Sequence, residues 1–215
     1  MTASIAGELA RTGHLLRAQR RAPLALGAVT VGVALALHCG GRSTGVGSLR
    51  VVGLILVLGS GFALDDAAAT TLQASPYPLA RRLCVRIGCA AAVVLPLWTI
   101  ALWRLLPAVP TWAGRASLSV GLTVEFVAAL AVMWAAAAWG RRRGIAEPGI
   151  GTAPVMLGLV FLAAVHPRSK LLVGPGPHWL AAHLRWAVVL ACAVVLLAVA
   201  MRDPANPTSS SRGHS

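Results

Sequence analysis

The stretch LDDAAATTLQASPYPLARRLCVRIG, residues 64–88, decides the fold because it separates two apolar runs that could each cross a bilayer. The run before it covers about Val46–Leu64, and the run after it covers about Ile87–Leu106. A transmembrane helix needs roughly 17–25 mostly apolar residues, since the hydrocarbon core is about 30 Å thick. The stretch is therefore predicted to be a polar loop between two membrane-spanning helices.

The composition of the whole chain indicates an integral membrane protein. Of its 215 residues, 57% are apolar and only 12% are charged, whereas soluble domains contain about a quarter charged residues. Further apolar runs predict six spanning helices in residues 22–201, with connections too short for a second, soluble domain. The fold class is therefore predicted to be all-α. The six predicted spans are Ala22–His38, Val46–Leu64, Ile87–Leu106, Leu118–Trp139, Ile150–Val165 and Leu184–Met201.

The distribution of basic residues predicts which helix ends face the cytoplasm. With the N-terminus inside, the inner segments hold twelve of the 19 Lys and Arg residues, and the outer segments hold seven. Short loops rich in Lys and Arg stay cytoplasmic, so both termini and the 64–88 loop are predicted inside. The net charge of +13 then needs no nucleic-acid partner, and we expect a multi-pass protein of the plasma membrane. Tryptophans near predicted helix ends fit an interfacial belt: Trp98, Trp103, Trp112, Trp139, Trp179 and Trp186.

The two ends of the chain differ from the predicted spans. Residues 1–21 place apolar side chains on one helical face and basic side chains on the other, which predicts an amphipathic helix on the cytoplasmic membrane surface. The alternative is an ordinary basic tail that only sets the topology. Residues 202–215 are predicted to form a disordered cytoplasmic tail.

The sequence disfavours a nucleotide or metal site within this chain. A phosphate-binding loop of the GxxxxGK[ST] kind needs glycines ahead of its lysine, and the single lysine, Lys170, lies in AVHPRSKLL without them. The four cysteines lie in separate segments without zinc or redox spacing. We therefore expect no cofactor bound by this chain and no enzymatic activity of its own.

The order of residues within 64–88 predicts a short docking helix between two spans. Two acidic residues end the preceding span, the run Ala67–Ala74 holds mostly good helix formers, and two prolines then stop the helix. Arginines follow and open the next span at the membrane interface. A rigid element linked to two membrane helices can convert a push from a soluble partner into a tilt of those helices. The alternative is a plain capped turn whose arginines anchor to lipid headgroups.

This order resembles the loop between the second and third membrane helices of type-2 ATP-binding-cassette permeases. In that family the loop forms a coupling helix that docks into a groove of a separate ATPase subunit. The family's usual glycine after the acidic residues is replaced here by Ala67–Ala69. The six spans, inward termini and longer outer segment, about residues 166–183, are similar to small actinobacterial members of the class. The resemblance implies ATPase coupling within the 65–86 loop for Asp65, Asp66, Thr70, Thr71, Leu72, Ser75, Pro76, Arg81 and Arg82.

The resemblance implies a transmembrane subunit of an ATP-driven transporter, an exporter, that supplies half of the translocation path. It implies a second membrane subunit, either an identical copy or a paralogue, and an ATP-binding-cassette ATPase subunit that carries ATP and magnesium. Two alternatives stay open. One is a membrane-embedded, metal-dependent lipid or prenyl enzyme that uses Asp65 and Asp66. The other is a non-transporting membrane partner protein.

One acidic residue lies inside a predicted span. Glu125 occurs in GLTVEFVAALAVMW, and an ionisable group at such depth is costly unless it faces the bundle interior, a partner or water. It is our candidate for a residue of the translocation pathway, and the alternative is a neutral acid hydrogen-bonded to a neighbouring helix. In the outer segment, His166, His178 and His183 lack the spacing of a metal site. The Gly-Pro run of that segment predicts interfacial or partly re-entrant structure.

Overall fold

The computed structural model describes residues 46–65, 79–106, 112–166, 171–172 and 174–202, together with Gly32. These residues form five long helices and contain no β-strand. The helices are α1 (Val46–Gly61), α2 (Leu79–Leu105), α3 (Trp112–Arg142), α4 (Pro148–Val165) and α5 (Trp179–Met201). One turn of 3-10 helix, Phe62–Leu64, extends α1.

All five helices are long and apolar enough to cross a membrane. When the 3-10 turn is counted with α1, the shortest candidate span has 18 residues, which at 1.5 Å per residue corresponds to roughly 27 Å. The prediction of an all-α, multi-pass membrane protein is thus confirmed at this level. The first predicted span, Ala22–His38, the amphipathic helix of residues 1–21 and the tail from residue 203 lie outside the described residues. A sixth span and the sidedness of the termini stay predictions.

The helix ends alternate along the chain and give the bundle two ends. At one end lie Asp65, the turn of residues 143–147 and Arg202, and we call this the Asp65 end. At the other lie the start of α1, the start of α5 and His166, and we call this the His166 end. In the predicted topology the Asp65 end is cytoplasmic.

Three helices begin well before the predicted spans. α2 starts at Leu79 rather than Ile87, α3 at Trp112 rather than Leu118, and α5 at Trp179 rather than Leu184. The extra residues include arginine or histidine, which lower the local hydropathy, and two of them, Arg86 and His183, contact groups on neighbouring helices. The earlier start of α5 places His183 in a membrane helix, where the sequence predicted an outer segment.

α3 is the central helix and packs against each of the other four. Its buried face is rich in alanine, and small side chains let membrane helices approach closely. Trp98 of α2 is 3% exposed and stacks on Phe126 of α3, with ring centroids 4.4 Å apart. The rings of Trp98 and of the buried Trp186 pack inside the bundle, and the interfacial belt stays a prediction. The buried alanines of α3 are Ala128, Ala131, Ala135, Ala137 and Ala138.

The outward faces of α4 and α5 carry large apolar side chains. Phe161 is 66% exposed and Leu180 is 71% exposed. A soluble monomer rarely exposes extended apolar patches of this kind, whereas a bilayer solvates them. The surface therefore agrees with the membrane assignment made from helix length.

Candidate functional site

Buried polar side chains gather in two groups, one at each end of α1. The first, which we call the charge cluster, consists of Arg50, Glu125 and His183 near the His166 end. The second, which we call the loop joint, consists of Asp65, Arg86 and Gly149 at the Asp65 end. Buried ionisable groups inside a membrane bundle are a default indication of a functional site.

In the charge cluster, Arg50 of α1 and Glu125 of α3 form a two-bond ion pair. Nε of Arg50 donates to Oε2 of Glu125 at 2.7 Å, and Nη2 donates to Oε1 at 2.6 Å. The Arg50 side chain is 20% exposed and the Glu125 side chain 7%. Fork-to-fork pairing of this kind is strong and fixes the orientation of both groups, so it ties α1 to α3.

His183 of α5 completes the charge cluster. Its Nδ1 lies 2.7 Å from the carbonyl oxygen of Trp179, and because a carbonyl only accepts, Nδ1 donates. This turns Nε2 toward Glu125, where it lies 3.2 Å from Oε1, within ion-pair distance but without a well-aligned hydrogen bond. The Trp179 ring packs beside the imidazole, with centroids 4.1 Å apart. Three helices therefore converge on one carboxylate.

The structure places Glu125 in the bundle interior, which is the setting that its sequence position required. It is held to a neighbouring helix by two hydrogen bonds from Arg50. Its part in a translocation pathway stays a prediction. Sequence reasoning missed the pairing with Arg50 and His183. A signal was present, because Arg50 is the single charged residue in the apolar run 46–64.

A cavity of about 220 Å³ adjoins the charge cluster. All five helices contribute to its wall, and Leu172 closes part of it. Apart from Arg50 and Glu125, the side chains around it are apolar or aromatic. The arrangement combines a partly open apolar space with one ion pair in its wall.

The indole nitrogens of the two tryptophans in the cavity wall are both engaged in hydrogen bonds. Nε1 of Trp186 donates to the carbonyl of Leu171 at 2.9 Å, and Nε1 of Trp98 donates to Oγ1 of Thr123 at 3.3 Å. The first bond fixes the 171–172 segment over α5. Both rings therefore contribute mainly apolar surface to the cavity.

The loop joint fixes the start of the predicted coupling loop. The Asp65 side chain is completely buried, and its Oδ1 accepts the backbone N–H of Gly149 at 2.7 Å. Gly149 is in the first turn of α4, whose leading N–H groups lack partners within the helix. A carboxylate is favourable there because it also meets the positive end of the helix dipole. Asp65 thus caps α4 from a distant part of the chain.

Arg86 fixes the other end of the same loop. Its Nη1 donates to the carbonyl oxygen of Asp65 at 2.9 Å and to that of Leu64 at 3.4 Å, and the side chain is buried. Carbonyls at a helix C-terminus need donors from outside the helix, and a cation suits that end of the dipole. The start of α2 is thereby bonded to the end of α1.

Gly149 is required by the closeness of α4 to the end of α1. A Cβ at this position would lie 2.9 Å from the carbonyl oxygen of Gly61, 2.9 Å from Cα of Phe62 and 3.0 Å from Oδ1 of Asp65. Two of these are backbone atoms and cannot move aside cheaply. The loop joint therefore depends on a glycine that sequence reasoning did not single out.

The remaining predicted site residues are only partly described. Arg81 is exposed and Arg82 half-buried, both in the first turns of α2. The structure brings Asp65 together with Arg86 and Gly149, so Asp65 lies inside the bundle and away from the surface that a partner would touch. The ATPase-coupling roles stay predictions. The predicted coupling residues outside the described part of the chain are Asp66, Thr70, Thr71, Leu72, Ser75 and Pro76.

Gly121 supports the charge cluster by letting α5 approach α3. A Cβ there would lie 2.5 Å from Cζ2 of Trp179 and 2.7 Å from Nε2 of His183. We expect Gly121→Ala to displace both rings and to lower the free energy of unfolding by about 1–3 kcal/mol. Gly158→Ala is the matched control, because nothing lies within 4 Å of its added Cβ and it should be neutral or slightly stabilising. Thermal unfolding of the detergent-purified protein measures both, and equal melting temperatures would contradict the packing described.

Comparison of the chain with protein-family models, with curated proteins and with solved structures finds no match.

Proposed function

We propose that this chain is the transmembrane subunit of an ATP-driven transporter, an exporter, energised by a separate ATPase subunit that docks on the 65–86 loop. The observation that carries the proposal is the loop joint. On the two sides of residues 66–78, Asp65 accepts the N–H of Gly149 in α4, and Arg86 of α2 donates to the carbonyl oxygen of Asp65 at the end of α1. A partner that moves this loop would therefore act on three membrane helices together.

α1 connects the loop joint to the cavity. The loop joint lies at one end of α1, and Arg50 of the charge cluster lies near its other end. ATP-driven closure of the partner would favour one of two packings of these helices. The change of packing would shift the Arg50–Glu125 ion pair and with it the wall of the cavity. The resemblance of residues 64–88 to a coupling loop and this two-ended anchoring support the same mechanism.

The proposed assembly contains two kinds of partner. A second membrane subunit, identical or paralogous, would complete the translocation path, and ATPase subunits carrying ATP and magnesium would bind at the Asp65 end. The basic side chains at that end, including exposed Arg81 and Arg143, agree with a cytoplasmic location under the positive-inside rule.

The burial of Asp65 counts against the metal-dependent enzyme. That alternative needs Asp65 and Asp66 together at a metal ion, but Asp65 is completely buried and its Oδ1 accepts the Gly149 N–H. A carboxylate used in this way has a structural partner already. The non-transporting partner protein differs from our proposal in lacking an associated ATPase, so it is an outcome of the test below.

The test is affinity purification of the tagged chain from its native host, with associated ATP-binding-cassette ATPases identified by mass spectrometry. We expect Leu72→Pro, and Arg81→Glu combined with Arg82→Glu, to reduce ATPase recovery by at least about tenfold, because they break the docking helix and reverse its flanking charge. Arg143→Glu is the matched control, since it reverses an exposed arginine at the same end.

Each variant must retain the melting temperature of the unaltered protein for the comparison to hold. Full ATPase recovery and full transport with the altered loop would contradict the docking assignment. Absence of any ATPase from the unaltered complex would favour the non-transporting partner.

A further inference from the structure

We infer that the cavity beside the charge cluster binds the apolar body of an uncharged, membrane-partitioned amphiphile with a single polar end. The interpretation of this amphiphile as the transported substrate rests on the proposed function. Its binding does not, since the cavity belongs to this chain alone and can be tested without an ATPase.

The volume of the cavity sets the size of the ligand. An engineered apolar cavity of about 150 Å³ holds benzene, with six heavy atoms. Scaled to the 220 Å³ found here, the space holds on the order of nine carbon atoms. Pockets for drug-sized ligands begin at about 300 Å³. The bound body is therefore a medium-length chain or a small ring system.

The wall of the cavity sets the character of that body. Val57, Leu122 and Phe126 line it and are at most 4% exposed. With the indole N–H groups of Trp98 and Trp186 already bonded, the deep wall offers a ligand no prominent polar partner. Water in a cavity needs polar groups to hydrogen-bond with, and this wall offers few of them. The space therefore favours an apolar occupant.

The ion pair at the edge sets the charge of the ligand. Arg50 and Glu125 neutralise each other through two short hydrogen bonds. A ligand with a net charge would bury a charge that this already neutral pair does not compensate, and an uncompensated buried charge is strongly unfavourable. A hydroxyl or amide can instead hydrogen-bond at the edge of the intact pair. An uncharged polar end is thus favoured over a carboxylate or an ammonium group.

The edge of the cavity on α1 indicates where the ligand enters. Val51 lines the cavity and is 57% exposed in the described part of the chain. This entrance is apolar, so a molecule dissolved in the bilayer can reach the cavity without crossing a charged surface. Arg50 precedes Val51 in α1, so the ion pair lies on the side of the cavity that is nearer the His166 end.

Photolabelling of the full chain in phosphatidylcholine nanodiscs tests the inference. The probe is octanol carrying a photoactivatable diazirine in its chain, with unlabelled octanol as competitor and peptide mapping by mass spectrometry. We expect competed labelling in residues 51–57 and 122–129. Ala129→Leu should reduce it by at least about tenfold, because three added carbons occupy space that the ligand needs. Ala136→Leu, at an exposed position of the same helix, should leave it unchanged.

A second variant, on another helix, tests the same inference if Ala129→Leu does not fold. Val160→Phe fills the cavity from α4 and should give the same loss of labelling. Labelling that survives both substitutions, or that is confined to the outward faces of α4 and α5, would overturn the inference.

A second probe, phosphatidylcholine with a diazirine at the end of one acyl chain, distinguishes the two sources of an apolar chain. If it labels the cavity wall and octanol does not compete, the occupant is a bilayer lipid and the inference is wrong. Competed octanol labelling in a protein that recruits no ATPase would uphold the inference while contradicting the proposed function.

Discussion

Replacing Glu125 alone by leucine is expected to lower the free energy of unfolding by about 3–5 kcal/mol, because it removes the carboxylate that neutralises a largely buried arginine. Nε and Nη2 of Arg50 both bond to this carboxylate, and neither side chain is more than 20% exposed. Solvent therefore screens the pair only weakly. The measurement is equilibrium unfolding of the purified protein in mixed micelles, followed by helical circular dichroism.

The double variant Arg50→Met with Glu125→Leu is the control for this effect. Removing both charges together replaces the pair with apolar groups of similar size, which is often close to neutral. We expect the double variant to recover most of the stability lost by the single one. If the single substitution costs less than about 1 kcal/mol, the pair behaves like an exposed surface ion pair, and the structure of the charge cluster is wrong.

Replacing Asp65 by alanine is expected to lower the free energy of unfolding by about 3 kcal/mol, because the buried N–H of Gly149 loses its acceptor and the start of α4 loses its cap. Asp65→Asn keeps an oxygen in the same place for that N–H, so its cost should be smaller, about 1 kcal/mol. The same unfolding measurement applies.

Glu147→Ala is the matched control for Asp65. Glu147 occupies the N-cap position of the same helix but makes no side-chain capping bond, so its removal takes no cap from α4 and should cost clearly less than the removal of Asp65. Equal losses for the two substitutions would contradict the assignment of Asp65 as the distant cap of α4. In the transport account, Asp65→Ala should also reduce transport, because the loop would no longer move α4.

The fold was largely predictable because helix length and apolarity carry the signal. α1 and α4 lie close to the predicted spans, since their apolar runs are continuous. α2 and α5 begin earlier than hydropathy predicted because Arg86 and His183 are satisfied by partners far away in the chain. A hydropathy value averages a residue with its neighbours along the sequence, so it does not include contacts with residues on other helices.

The site was predictable only in part for the same reason. The depth of Glu125 in an apolar run marked it as unusual without any structure. Its partners could not be chosen from sequence, because Arg50 lies 75 residues away and only helix packing brings the two together. Asp65 was predicted to end the second span, and its complete burial depends on Gly149 approaching the end of α1.

The most direct test of the transporter assignment is photo-crosslinking from position 72 in living cells of the native host. A benzoylphenylalanine residue replaces Leu72, with the same residue at the exposed position 136 as control, and the adducts are identified by mass spectrometry. The account predicts an ATP-binding-cassette ATPase crosslinked to position 72 and not to position 136. Adducts at position 72 that contain only lipid or another copy of this chain would contradict it.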